Sequence, residues 1–319
     1  MRLFRQIFCL KNLISLMGLI RDLQVQIETC RLPRGGWACG SSSRAAIETT
    51  CYALMALRNR EQSARDDAID LLLRTQNPDG SWPAFDGDDQ EGCWTTALAT
   101  IALRFVGLPS EILQKPIGWL LDNKGREGHW LWRWKFQTID RAVQFDPAKF
   151  GWPWFPGTVS WVIPTAFSVI ALKQWFPCCQ TDEVTNRIQL GMEMLRDRAC
   201  PQGGWNAGNG IVLGAALKPH IDATSIALLG VSDEADATAT KGLRWVRQAC
   251  IDCSSAYSVS WSTLALLRYG DSNLNRCVAN LHRALYTHSV SSVEVLSLAV
   301  IAINAVQERA NPFWVGNVK

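Results

Sequence analysis

The chain has 319 residues, 48% of them apolar, enough for one large repeat-built core or two ordinary ones. Its 32 basic and 29 acidic residues nearly cancel, so the concentrated basic footprint of a nucleic-acid partner is missing. Eleven scattered cysteines, an odd number with no framework and no cleavable signal ahead of them, read as reduced thiols in a cytoplasmic protein. Fifteen tryptophans stand out, because so large a side chain with one N–H donor needs a specific seat in a core or against a ligand.

Residues 3–20 keep helical spacing in Leu3, Ile7, Leu10, Ile14 and Met17, interrupted by Arg5, Gln6, Lys11 and Asn12. This is too broken for a membrane span and predicts a first core helix, with shallow attachment to a bilayer surface as the other reading. After a Gly35-Gly36-Trp37 turn, a nine-residue pattern opens at Thr49–Leu57 and recurs at Thr95–Leu103, Pro164–Leu172 and Ala223–Val231. Weaker copies start at Trp261 and Val295. The third and fifth positions are small, and the fourth and seventh are large and apolar, as in Leu98 and Ile101. Large residues three apart share a helix face, and small neighbours let adjacent backbones approach, so these segments are predicted as inner helices.

A second pattern precedes the strong copies: a helix ending in a glycine-rich turn with tryptophan. It runs Leu72 to Gln76, then Gly80-Ser81-Trp82; Trp119-Leu120, then Gly128-His129-Trp130; and Met194-Leu195, then Gly203-Gly204-Trp205. Proline and glycine stop helices and reverse the chain. Each unit is then helix, tryptophan turn, helix, and such units must stack to bury their apolar faces. The register seats Trp82, Trp130 and Trp205 at equivalent structural turns. The long gaps between inner helices place one insertion at 123–161, rich in tryptophan, and another at 206–220, within a single domain over 1–319.

The Gln76, Gly80-Ser81-Trp82 element resembles the "QW" repeat of squalene-hopene and oxidosqualene cyclases. The inner-helix pattern resembles the same superfamily, which includes the β subunits of protein prenyltransferases. The resemblance covers roughly residues 20–305. Gln76 is kept once, Lys124 takes its place before Gly128-His129-Trp130, and the last two units lack the turn. The resemblance implies an all-α chain closed into an α/α toroid of about six helix pairs. It further implies a polyprenyl or triterpenoid hydrocarbon as ligand, acted on by acid-initiated carbocation cyclisation or isomerisation. Two alternatives stand beside it: a non-catalytic lipid-binding or interaction toroid, and a prenyltransferase β-subunit-like chain that needs a partner. Larger cyclases also carry a second toroid, so the resemblance allows a second toroid subunit as a partner. The Gly-Cys-Gly-Glu-Gln thioester sequence of related complement domains is absent.

Aligned on the inner-helix threonine, the family's acid motif falls on His220-Ile221-Asp222-Ala223-Thr224-Ser225. The resemblance makes Asp222 the proton donor, with His220 in place of the first acid and Ala223 in place of the last. Glu48 and Glu294 hold the equivalent position in the first and last units, so a closed ring brings three acids to one mouth. Acids there also suit the helix dipole, which keeps them ionised; proton donation by Asp222 requires burial to raise its pKa. Trp130, Trp132, Trp134, Trp152, Trp154 and Trp161 are the candidate substrate-facing rings, because aromatic faces stabilise cations. Arg133, Lys135, Arg141 and Lys149 among them suit an anionic head group.

No metal or other cofactor follows from the remaining motifs. Asp86-Gly87-Asp88-Asp89 spells the acid motif out of register, in a loop that reads as a solvated turn. Asp66, Asp67 and Asp70 match a diphosphate motif but lie on the solvated face of an outer helix. Cys250 and Cys253, with His282 and His288 further on, lack the second pair a zinc site needs.

Overall fold

The computed structural model describes residues 17–314, apart from 61, 89, 141, 232–236 and 288–289. The segment expected as a first helix therefore lies mostly outside the described residues. Its described end begins α1 (17–29), which seats Ile20, Leu23 and Ile27 in the core.

Six helices form an inner ring. They are α2 (Ile47–Ala56), α4 (Thr95–Phe105), α7 (Val162–Trp175), α9 (Ile221–Gly230), α11 (Ala256–Arg268) and α13 (Val293–Glu308). Each packs on the next, and α13 packs back on α2, which closes the toroid. The helices α3 (Gln62–Thr75), α5 (Ser110–Asp122), α8 (Asp182–Asp197), α10 (Ala237–Ala249) and α12 (Leu274–Thr287) lie outside it, against α2, α4, α7, α9 and α11 in turn. Burial follows the two sequence patterns. Every residue from Thr95 to Leu103 of α4 is buried, whereas α3 buries only Ala64, Ala68, Leu71 and Leu72, a single stripe. Small residues set the inner spacing: a Cβ on Gly230 of α9 would stand 3.2 Å from the Ala166 backbone of α7.

Four tryptophans, Trp37, Trp82, Trp152 and Trp205, clamp outer to inner helices, and all are fully buried. Each indole N–H donates to a carbonyl in the preceding outer helix: Ile27 (2.7 Å), Leu72 (2.7 Å), Leu120 (2.7 Å) and Leu195 (2.6 Å). Each of these carbonyls lies in the last turn of its helix, where the helical N–H four residues on is missing, so each bond helps satisfy a helix end. Each backbone N–H donates to the hydroxyl of Thr50, Thr96, Thr165 or Thr224, the second residue of the inner pattern.

The third unit corrects the sequence expectation. Its clamp is Trp152, not Trp130, because the hydroxyl that receives the turn, that of Thr165, lies beside Trp152. Trp130 instead opens a surface helix, α6 (Trp130–Thr138), and is 72% exposed. Arg187 of α8 backs the clamp, with its guanidinium 3.4 Å from the Trp152 ring centre and bonds to the carbonyls of Asn123 and Gly151. Where the turn is missing, Asn280 of α12 donates to the carbonyls of Cys250 and Cys253 at 2.7 and 2.8 Å.

The described strands are short: β1 (Ile211–Val212) pairs with β2 (Ala215–Ala216) in a hairpin that also meets Val143. After α13, Gln174 holds the Pro312 carbonyl at 2.7 Å and Asn311 holds that of Leu264, which brings Phe313 into the core.

Candidate functional site

The loops that enter the inner helices all open on one end of the ring. Glu48, Asp222, Tyr257 and Glu294 are the second residues of α2, α9, α11 and α13, so each projects from a first helical turn at that end. They share one electrostatic neighbourhood. Burial pushes the Tyr257 phenol up, and the charges of Glu48, Glu294 and Asp222 push it further. Glu48 is pushed up to about 8, first by burial and then by Glu294. Burial also raises Glu294. Two neighbouring, partly desolvated carboxyls cannot both ionise cheaply, which is why both are pushed up. Cys39, exposed in the loop ahead of α2, is raised by burial and then by Glu294 and Glu48, and so marks the solvent side of the mouth.

One turn deeper the packing is aromatic. Tyr52 lies four residues after Glu48, and Trp261 four after Tyr257, so each acid or phenol sits above a ring on the same helix face. Tyr52 and Trp261 meet edge to face at 6.1 Å, and Trp261 meets Phe167 of α7 at 5.7 Å. Phe313 closes the floor, 4.8 Å from Trp261 and 5.9 Å from Phe167. The buried Tyr52 hydroxyl has no hydrogen-bond partner among the described residues. Across the ring, Trp94 ahead of α4 stands 5.5 Å from Phe167 and 5.1 Å from Trp154. The mouth therefore has an acidic half on α9, α11, α13 and α2, and an aromatic half on α4 and α7. A carboxyl can donate a proton and an aromatic face can hold a cation; here Tyr52, Trp261, Phe167 and Phe313 are 0–1% exposed and pack on one another beneath the acids.

The expected site residues separate. Glu48, Glu294 and Asp222 converge on Tyr257. The His220 side chain is exposed and makes no cap bond, so it stands outside the buried group. Of the insertion tryptophans, Trp154 reaches the aromatic half through Trp94, while Trp152 is committed to its clamp. Trp161 is half-buried at the start of α7, where its ring lies beside Gly208. Trp132 is half-buried under Arg126 and Lys135, with ring-centre distances of 4.6 and 4.7 Å. Trp130 and Trp134 face solvent, 72% and 53% exposed, away from the aromatic half.

The out-of-register carboxylates are engaged elsewhere: Asp86 with Arg74, Asp88 with Arg44, and Asp67 with Arg31. Asp89, Arg141 and His288 lie outside the described residues. Among the described residues no three histidine, cysteine or acidic side chains gather as a metal site would require.

Sequence reasoning missed Tyr257, Tyr52, Trp94, Trp261, Phe167 and Phe313. The signal was an acid or phenol followed four residues later by an aromatic, at Glu48 and Tyr52 and again at Tyr257 and Trp261. Phe313 carried no such signal, because it arrives from beyond the last repeat.

No family model and no curated protein matches the chain. Solved structures do. The type II terpene cyclase MstE from Scytonema, in complex with merosterolic acid A, is 14% identical, covers 93% of this chain and 99% of its own, and superposes with a TM-score of 0.61. An α-mannanase of glycoside hydrolase family 76 from Bacteroides thetaiotaomicron is 8% identical over 92% and 96%, with a TM-score of 0.60. The cellobiose 2-epimerase of Spirochaeta thermophila is 10% identical over 92% and 98%, with a TM-score of 0.56. At these identities the likeness establishes the α/α-toroid fold alone.

Proposed function

We propose that this toroid is an acid-initiated cyclase or isomerase of a polyprenyl hydrocarbon, with Glu48 as the proton donor. One observation carries the reading: a carboxyl whose pKa stands at about 8 lies above a floor of Tyr52, Trp261, Phe167 and Phe313. A protonated acid over apolar rings suits a substrate that is a weak base and brings no polar groups of its own. The Glu48 O–H bond breaks as an alkene π pair takes the proton to form a C–H bond. The adjacent carbon becomes a cation, which the ring faces stabilise while a second π bond closes on it or a neighbouring proton departs. Loss of a proton to the Glu48 carboxylate ends the sequence and restores the acid. Glu294 keeps the shared proton in place, and the Tyr257 hydroxyl steadies the transient carboxylate. The donor role that the motif register gives to Asp222 passes to Glu48, which burial and Glu294 push up to about 8, and Asp222 remains a rim acid.

The test is incubation with geranylgeranyl-bearing and squalene-type substrates, with products read by mass spectrometry. Glu48→Gln should reduce turnover by a factor of about 100 to 10,000, with helical circular dichroism unchanged. Binding without turnover by the unaltered protein would instead support a lipid-binding toroid. Paired carboxyls also serve glycoside hydrolysis. A sugar's hydroxyls, however, would meet Phe167, Trp261 and Phe313 with few partners, so hydrolysis of a mannan oligosaccharide would overturn the hydrocarbon reading.

A further inference from the structure

The surface beside this mouth has a character the acid chemistry does not use. Helix α6 turns Trp130 and Trp134, four residues apart, toward solvent, and Ile139 after it is 66% exposed. The helix has no buried residue, although its other side carries Trp132 and Phe136, which lie 6.1 Å apart. Residues 142–144 then pair with the β1–β2 hairpin, through Leu213 N–H to the Ala142 carbonyl at 2.6 Å and Gln144 N–H to that of Ile211. The hairpin tip is Leu213-Gly214, both at positive φ (51° and 76°), and Leu213 is 79% exposed. Such a turn favours Asn-Gly. Leucine is the wrong residue there twice over: it is strained in its backbone and it is apolar in water.

Cations lie in the same two segments. Lys124, Arg126 and Lys218 are exposed and Lys135 is half-buried, and none forms an ion pair among the described residues. Both segments belong to loops that enter inner helices, at 123–161 and 199–220, and so flank the mouth that holds Glu48.

We propose that α6 and the β1–β2 tip form an interfacial membrane-binding face, whose occupant is a bilayer surface bearing anionic head groups. Exposed tryptophans with lysines and arginines that form no ion pair among the described residues are complementary to the interface of such a bilayer, where rings lie at head-group level and cations meet lipid phosphates. No described helix is long and apolar enough to cross a membrane, so the attachment is shallow. The proposal does not depend on the identity of the proton donor.

The full chain is tested by co-flotation with vesicles of phosphatidylcholine, alone or mixed with phosphatidylglycerol. The unaltered protein should float with the mixed vesicles, and less at high salt. Trp130→Ser with Trp134→Ser and Leu213→Asn should abolish flotation while keeping the helical circular dichroism. Leu213→Asn alone should raise the melting temperature, since asparagine tolerates positive φ, which separates lost binding from lost folding. Neutralising Lys124, Arg126 and Lys218 to glutamine should lower the partition coefficient roughly fivefold per cation, the equivalent of about 1 kcal/mol each. Absence of flotation by the unaltered protein overturns the proposal. So does equal flotation by the apolar variant, or a dimer in sedimentation that the apolar variant abolishes while no vesicle binding is seen.

Discussion

Two glutamates of this toroid, one fully buried and one half-buried, have opposite fates. Glu127 lies at the root of the insertion, fully buried, accepting the Ser160 N–H on both oxygens and facing the buried Arg198 at 3.7 Å. Arg198 is in turn held by Asp197 and covers the Phe145 ring. Glu48 is half-buried at the mouth with another carboxyl as its neighbour, and no ion pair among the described residues includes it. Burial makes a bare carboxylate costly, and a cation or a proton can neutralise it. Arg198 does so at Glu127 and leaves a structural anchor. At Glu48, whose pKa is pushed up to about 8, a proton takes that place. The tryptophans divide along a similar line, with Trp152 holding the frame and Trp130 and Trp134 facing outward.

Removing the cation from the first glutamate should have the largest effect. Arg198→Met strands Glu127 in a buried site and should cost about 3–5 kcal/mol, read by urea denaturation; a loss below 1 kcal/mol would erase the distinction between the two acids. Trp152→Ala should cost a similar amount, about 3–5 kcal/mol, since it empties a buried seat and frees the Leu120 carbonyl.

Glu48→Gln should act through pH. Its folded pKa lies above the unfolded value, so the folded state binds the extra proton. The stability tied to that proton is complete below the unfolded pKa near 4.5 and is lost as pH rises through about 8. The glutamine variant should therefore be less pH-dependent across this window and should melt higher than the unaltered protein above pH 8. Parallel melting curves for the two proteins would place Glu48 in solvent. The smallest effect belongs to Trp130→Ser with Trp134→Ser, which should change stability by no more than about 0.5 kcal/mol per site. A larger loss would put these rings back in the frame.

The helix pairs were legible because their two periodicities are local: small residues beside large ones inside, a single apolar stripe outside. The clamp was half legible. Gly-x-Trp recurs in the letters, but its partner is a threonine 13, 14 or 19 residues downstream. The insertion delays the true turn to Trp152, which is why Trp130 attracts the assignment. The acid ring could be read from register, since Glu48, Asp222 and Glu294 share a repeat position. Which of them keeps its proton could not, because that depends on Tyr257, one turn ahead of its repeat register, and on rings from α7 and the tail. His220 and Asp222 are close in sequence, yet the start of α9 leaves the first in water and turns the second toward Tyr257.

The central claim, that Glu48 keeps its proton at neutral pH, can be measured directly. Protein carrying ¹³C-labelled glutamate side chains would be titrated by carboxyl NMR, with Glu48→Gln identifying the resonance. A resonance that titrates near pH 8 and disappears in the variant is the expected result. A Glu48 carboxyl that ionises in the ordinary range, near 4.3, would contradict the claim and leave the mouth a ring of helix-capping acids.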